Sequence, residues 1–305
     1  MPILGIVSSS RRGKPVVTGG TLTSDATYYY RTFTGNGTLS VTNSLITADV
    51  LVIAGGAGGY GGGFDSGITI GYSGGGGGAG GLLYSASQTI NTGNTSIVIG
   101  AGGAAAVAAT PGNDSSCGAL TAIKGGESKG SPSGQVTGGS GAGSTAIWSS
   151  ILGGNYSSLI GLGTAGQGND GGASYTTSTS TVRAGGGGGA SAIGTNAGAS
   201  QPGNGGAGSG SYSVWGSVTS TGQNVGGTYY YAGGGGGGSD SSGTAGTGGS
   251  GGGANGSNSS VGANATVNTG GGGGGGGTTG AVVNNSGGAG GSGIVIVRYT
   301  KAQVD

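Results

Sequence analysis

A chain that works by acid–base, nucleophilic or metal chemistry needs titratable side chains that can be gathered into one place, and here they are scarce. There is no histidine and one cysteine, Cys117, among 305 residues. An Asp-His-Ser relay, a Cys/His metal centre and a disulfide framework are therefore excluded. The eight acidic and nine basic residues stand scattered along the chain. They give no recognisable glycosidase-type carboxylate pair, no basic patch for nucleic acid and no polybasic membrane signal. Gly-x-Gly-x-x-Gly spacings abound, but 89 glycines generate them without any phosphate site. A Walker-type loop needs Gly-Lys-Ser/Thr, and the one Gly-Lys pair, Gly13-Lys14, runs into Pro15. The segment Gly166-Gln167-Gly168-Asn169-Asp170-Gly171-Gly172 is similar to a single calcium-binding nonapeptide; such sites are built from stacked repeats, and no second copy follows. The expectation is a chain that is not an enzyme, with no cofactor, no metal and an inert, buried Cys117.

The side chains left with recognition chemistry are aromatic rings and amides in the segments between glycine runs. Phe64, Tyr72, Trp148, Asn155 and Tyr156 are the candidate contact residues, because such groups on short loops borne by a rigid scaffold form recognition surfaces. Tyr212, Trp215 and the Tyr run 229–231 are expected instead to cover one end of the scaffold.

The scaffold is announced by unbroken glycine runs at 74–78, 185–189, 233–238 and 270–277. Glycine loses the most conformational entropy on ordering and has no side chain to bury, so neither an α-helix nor an ordinary strand explains them. Polyproline-II geometry does: three residues per turn, about 3.1 Å rise, and peptide groups all pointing outward. Those groups need partners, and bare glycine rods lying side by side supply them to one another. The interruptions agree. Ala54, Ala57 and Tyr60 recur every third residue, as do Ser286, Ala289 and Ser292, and again Thr247 and Ser250, placing side chains along one edge of a three-fold rod. Collagen would need abundant proline, and this chain has five. A flexible Gly/Ser linker is the alternative, countered by aromatic and branched residues at ordered positions. With 32% hydrophobic and 6% charged residues the chain lacks the apolar content of a conventional core of this size.

Two apolar segments frame the rods. Val50-Leu51-Val52-Ile53 and Ile294-Val295-Ile296-Val297-Arg298-Tyr299 read as strands covered on both faces. The aromatic run from Tyr28 to Phe33, the turn Gly35-Asn36-Gly37 and the return Thr38-Leu39-Ser40-Val41 read as a hairpin. The expected fold is mostly irregular and all-β with essentially no α-helix. A small base of residues 21–53, completed by 294–305, carries a polyglycine-II bundle over 54–293 with about a dozen rods. Turns at 64–73, 108–116, 145–162, 191–202, 239–243 and 278–286 are expected at the far tip; those at 83–99, 129–136, 174–183, 211–231 and 253–268 are expected beside the base. Residues 1–20 form either a loose terminus or an attachment peptide in which Ile3, Leu4, Ile6, Arg11 and Arg12 make the contacts. No apolar run is long enough for a membrane span, and 1–17 lacks the apolar core of a signal peptide.

Several blocks resemble one family. Ala48-Asp49-Val50-Leu51-Val52-Ile53-Ala54-Gly55-Gly56, Gly80-Gly81-Leu82-Leu83-Tyr84, Ser96-Ile97-Val98-Ile99-Gly100-Ala101-Gly102-Gly103, the 163–172 segment and Gly290-Gly291-Ser292-Gly293-Ile294-Val295-Ile296-Val297-Arg298-Tyr299 occur in the order found in glycine-rich domains of bacteriophage tail fibre and tail tip proteins. The opening Pro2-Ile3-Leu4-Gly5-Ile6 is similar to the N-terminal peptide of marine-phage tail proteins. The resemblance implies a virion tail protein made in the host cytoplasm, joined to other tail or fibre proteins and, in an oligomer, to its own copies. Its loops would meet a host receptor, glycan or outer-membrane protein, and would not bind nucleic acid. A purely structural filament or cell-wall protein and an ice-binding protein are the rival readings; the latter needs a flat row of small or Thr side chains.

Overall fold

The strand Ile46–Ile53 pairs antiparallel with Ile294–Thr300, Ile53 opposite Ile294 and Val50 opposite Val297. Side chains alternate across a strand, so both apolar runs must be covered on both sides. Val50, Val52, Val295 and Val297 face Leu39, Val41 and Ile97 of a second sheet. Leu51, Ile53, Ile294 and Ile296 face Tyr30, Leu82, Trp215 and Tyr231. The computed structural model describes residues 13–65, 70–130, 136–149, 154–279 and 284–305. Ile3, Leu4, Ile6, Arg11 and Arg12 lie outside them.

The base is a pair of five-stranded sheets. One runs Thr21–Ser24, Tyr28–Phe33, Ile294–Thr300, Ile46–Ile53, Leu82–Ile90; the other runs Val16–Thr18, Gly37–Thr42, Gly93–Val98, Ser115–Cys117, Leu120–Ala122. The base thus draws in 82–98 and 115–122 as well as the two chain ends. The expected hairpin of 28–34 with 38–41 does not form. Tyr28–Phe33 pairs with Thr21–Ser24 and Ile294–Thr300, while Gly37–Thr42 belongs to the other sheet. Crossing between sheets brings Phe33 into one interior with Leu39 and Val41, a packing that side-by-side pairing would lose. The fold is nearly all β, with one α-helix, Ser213–Thr219, among the described residues. That helix exists to seat Trp215, whose ring meets Tyr30 edge-on at 5.9 Å and takes the Arg298 guanidinium on its face at 4.6 Å.

Above the base, main-chain bonding takes over. In rod 54–61, Ala54, Ala57 and Tyr60 donate N–H bonds to Gly81, Gly78 and Gly75; Gly55, Gly58 and Gly61 donate to Asn113, Thr110 and Val107; Gly56 and Gly59 donate to Gly291 and Gly288. Three partners served in rotation, each at every third residue, is the signature of a three-fold helix. Rod 270–277 is interior, bonded to segments 57–60, 74–80, 233–236, 254–257, 260–263 and 288–292, and all eight glycines are buried. The runs 74–78, 185–189 and 233–238 are buried in the same way. Nothing larger than hydrogen fits: a Cβ on Gly235 would stand 2.0 Å from the Gly273 carbonyl oxygen, and one on Gly187 would stand 2.1 Å from that of Gly77.

The bundle holds more rods than the dozen expected. Segments 107–113, 192–198, 252–257 and 260–266, read from sequence within turns, also bond as rods, for example Gly186 N–H to Thr195 and Ala263 N–H to Asn255. These are outer rods, where residues such as Thr195 and Val261 point to solvent, so glycine is diluted and the pattern hidden. The added rods shift the turns. Ser115–Cys117 lies in the base, not at the tip. The hairpin Tyr175–Ser178 with Thr181–Arg183 packs on tip strands, not beside the base, and Gly130 reaches the Tyr60 hydroxyl at the tip end of rod 54–61.

Candidate functional site

At the end of the bundle opposite the base, the three-fold register stops and strands resume. A five-stranded sheet runs Gly154–Ser157, Ala146–Ser149, Ile70–Ser73, Gly62–Asp65, Asn284–Asn285. It gathers the five candidate contact positions. Tyr72 aligns with Gly63 on one side and Ile147 on the other, and Ile147 with Tyr156. In the adjacent row Phe64, Gly71, Trp148 and Asn155 align. Neighbouring rows point to opposite faces of the sheet, so Phe64, Trp148 and Asn155 share one face and Tyr72 takes the other.

The Tyr72 row has its own bonding. The Tyr72 hydroxyl donates to Asn284 Oδ1 at 2.5 Å, reaching across Gly63, where an added Cβ would come within 2.6 Å of that hydroxyl. Gly63 is therefore bare because a tyrosine lies over it. In the other row Trp148 is half-buried against Ala146, Val182 and Ala184, covered by the hairpin at 175–183. Trp148 is thus partly a packing residue, while Asn155 is exposed. Phe64 is half-buried and forms one wall of a cleft of about 250 Å³, whose other walls include Thr179, Ser180, Ser241 and Thr279.

Sequence reading missed the pair that builds this cleft. Between Asp170 and Arg298 the only charged residues are Arg183 and Asp240, and the fold puts them together, Nε to Oδ2 at 3.6 Å, with both side chains buried. Asp240 also accepts N–H bonds from Val182 at 3.2 Å and Ser242 at 2.9 Å, and the Ser242 hydroxyl donates to it. Arg183 donates to the Ala199 carbonyl. Two opposite charges in an otherwise uncharged stretch were the signal that could have found this pair. The pair ties three turns, 178–181, 198–202 and 239–243, into one neutral platform.

Other sequence features serve the scaffold. Asp170 accepts from the Gly163 N–H at 2.8 Å, and the Asn169 amide donates to the Gly189 carbonyl at 2.8 Å, so the nonapeptide-like segment is a rod stitched by its side chains. No cluster of three or more Cys, Asp or Glu that could hold a metal occurs among the described residues. Cys117 is buried in the base, which pushes its thiol up to about 11. Tyr231 is fully buried and hydrogen-bonded to Thr221 at 2.6 Å, covering the base.

The profile of a glycine-rich domain matches residues 31–300, which span both base and bundle. The chain belongs to the glycine-rich domain family. Membership supports a structural glycine-rich protein. No curated protein matches the chain. No helix among the described residues of this glycine-rich protein is long and apolar enough to cross a membrane.

Proposed function

We propose that this glycine-rich protein is a non-enzymatic phage tail fibre or tail tip component that acts as a host-receptor adhesin. It would be held to its virion partners through the N-terminal segment and the base, with the tip sheet turned toward the cell. The observation that carries the reading is the polarity of the molecule. The chain enters at the base, and its last residues return there, Lys301 donating to the Thr27 carbonyl and Tyr29 to Asp305. The aromatic and amide candidates sit at the opposite end. Between them lie rods joined by buried main-chain bonds, a stiff spacer that needs no apolar core. Exposed Asn155 and half-buried Phe64, Tyr72 and Trp148 at the far end of such a spacer are suited to a recognition surface.

Adsorption tests this reading. Purified protein is expected to bind host cells and to block infection by the parent phage, and exchange of 146–157 for the matching segment of a relative is expected to alter host range. A protein that neither binds cells nor blocks infection, and whose tip exchanges leave host range unchanged, would instead be a filament or cell-wall scaffold.

A further inference from the structure

We propose that the tip cleft beside Phe64 is a subsite for one uncharged sugar ring, an inference that rests on the adhesin reading and narrows its receptor to a neutral surface saccharide. The walls carry the argument. Thr179 and Ser180 from one turn and Ser241 from another bring hydroxyls to the lining, a group able both to donate and to accept. A sugar ring edge has the same dual character. Phe64 supplies the one aromatic wall, the apolar plate on which the C–H face of a pyranose rests. At about 250 Å³ the cleft is smaller than the roughly 300–1,000 Å³ that drug-sized ligands occupy, so it takes a single ring.

Charge decides which sugar. The one ionic side chain among the described residues lining the cleft, Asp240, is paired with Arg183 and accepts from the Val182 and Ser242 N–H groups. Among the described residues that line the cleft there is no cation to receive a phosphate or a uronic acid, and Asp240, already paired with Arg183, is the one carboxylate. The same bonds fix the turns before any ligand arrives, so little ordering cost opposes binding. A site of this size gives a dissociation constant of about 1 mM. Many copies on one particle would raise that to useful avidity.

Saturation-transfer NMR on the full chain, with methyl glycosides of neutral hexoses and N-acetylhexosamines beside glucuronate and glucosamine, reads the prediction directly. At least one neutral glycoside is expected to bind and both charged analogues to fail. Phe64→Ala is expected to weaken binding about tenfold without moving the thermal midpoint. Should Phe64→Ala fold poorly, the S180A/S241A double variant replaces it, with the same loss expected. Binding by no neutral glycoside, or binding unchanged in every folded variant, overturns the subsite. Cell adsorption separates the two claims. A protein that adsorbs and blocks infection but binds no sugar loses the subsite and keeps the adhesin reading, its partner then being a surface protein. One that binds a sugar in the cleft but does not adsorb keeps the subsite and loses the adhesin.

Discussion

Replacing one hydrogen in the middle of the bundle tests the architecture most sharply. At Gly235 an added Cβ would sit 2.0 Å from the Gly273 carbonyl oxygen, against 3.4 Å for ordinary contact, so the two rods must part by about 1.4 Å. Those rods are joined by Gly272 N–H to Gly233 at 2.9 Å, Gly275 N–H to Gly236 at 2.9 Å and Thr278 N–H to Ser239 at 3.0 Å. Stretched by that amount, the first two leave the hydrogen-bond range, and water cannot replace them in the buried interior. Each bond so lost in the buried interior costs about 1–3 kcal/mol. The alanine returns only about 0.4–1 kcal/mol by stiffening the unfolded chain. Gly235→Ala should therefore destabilise by about 2–5 kcal/mol, read as a lower denaturant midpoint at unchanged slope. Gly198→Ala is the matched control, since nothing lies within 4 Å of its Cβ position and its φ is not positive. It should be neutral or stabilising by about 0.4–1 kcal/mol. If the two variants unfold at the same midpoint, rod-to-rod contact does not limit this fold.

Cys117, its thiol raised to about 11 by burial, should resist alkylation at pH 8 in the folded protein and react at once in denaturant; fast labelling of native protein would refute its placement between the sheets. Tyr30 is raised to about 12, first by burial and then by its bond to Asp25, so the folded state holds this proton more tightly than the unfolded chain does. Its contribution is complete below pH 10 and lost as pH climbs from 10 toward 12; Tyr30→Phe should flatten that part of the stability profile, measured by denaturation between pH 9 and 12. Arg183→Leu strands the buried Asp240 carboxylate and should cost about 3–5 kcal/mol, with much of it recovered in the R183L/D240N double variant. Equal stability of the single and double variants in denaturant titrations would show that the pair is not coupled.

Much of the scaffold was legible because the interior rods permit only one residue. Where every neighbouring backbone stands in contact, glycine is compulsory, and 270–277 declares itself. Outer rods have one open edge, so 192–198 and 260–266 tolerate Thr, Asn and Val, and their sequence no longer differs from a loop. The strand 46–53 was legible from its unbroken apolar run. The partner of Tyr28–Phe33 was not, because Gly35-Asn36-Gly37 suits a tight turn and a crossing between sheets equally well, and only Phe33 packing with Leu39 decides it. At the tip, Phe64, Tyr72 and Trp148 stood out as aromatics between glycine runs. Thr179 and Ser180 did not, since a hydroxyl-rich turn looks alike at either end of the molecule, and the missed rods had moved it to the wrong one.

The same contact geometry says where function can reside. At the buried glycines of the interior rods an added side chain meets backbone, so variation at those positions is opposed by sterics before chemistry is considered. Within the rods the buried side chains are small, such as Ala57, Ala79, Ser140 and Ala142, and large ones gather at the two ends, where the three-fold register stops. At the base, the large side chains are taken up in two cores around Val50 and Leu51. At the tip the core is small, Ala146, Val182 and Ala184 with Trp148 against them, and the surrounding hydroxyls and Phe64 open onto a cleft. A scaffold held by peptide groups thus separates stability from surface chemistry. Exposed tip residues such as Ser241 and Asn155 can change without disturbing the rods, whereas any side chain at Gly235 must push two rods apart.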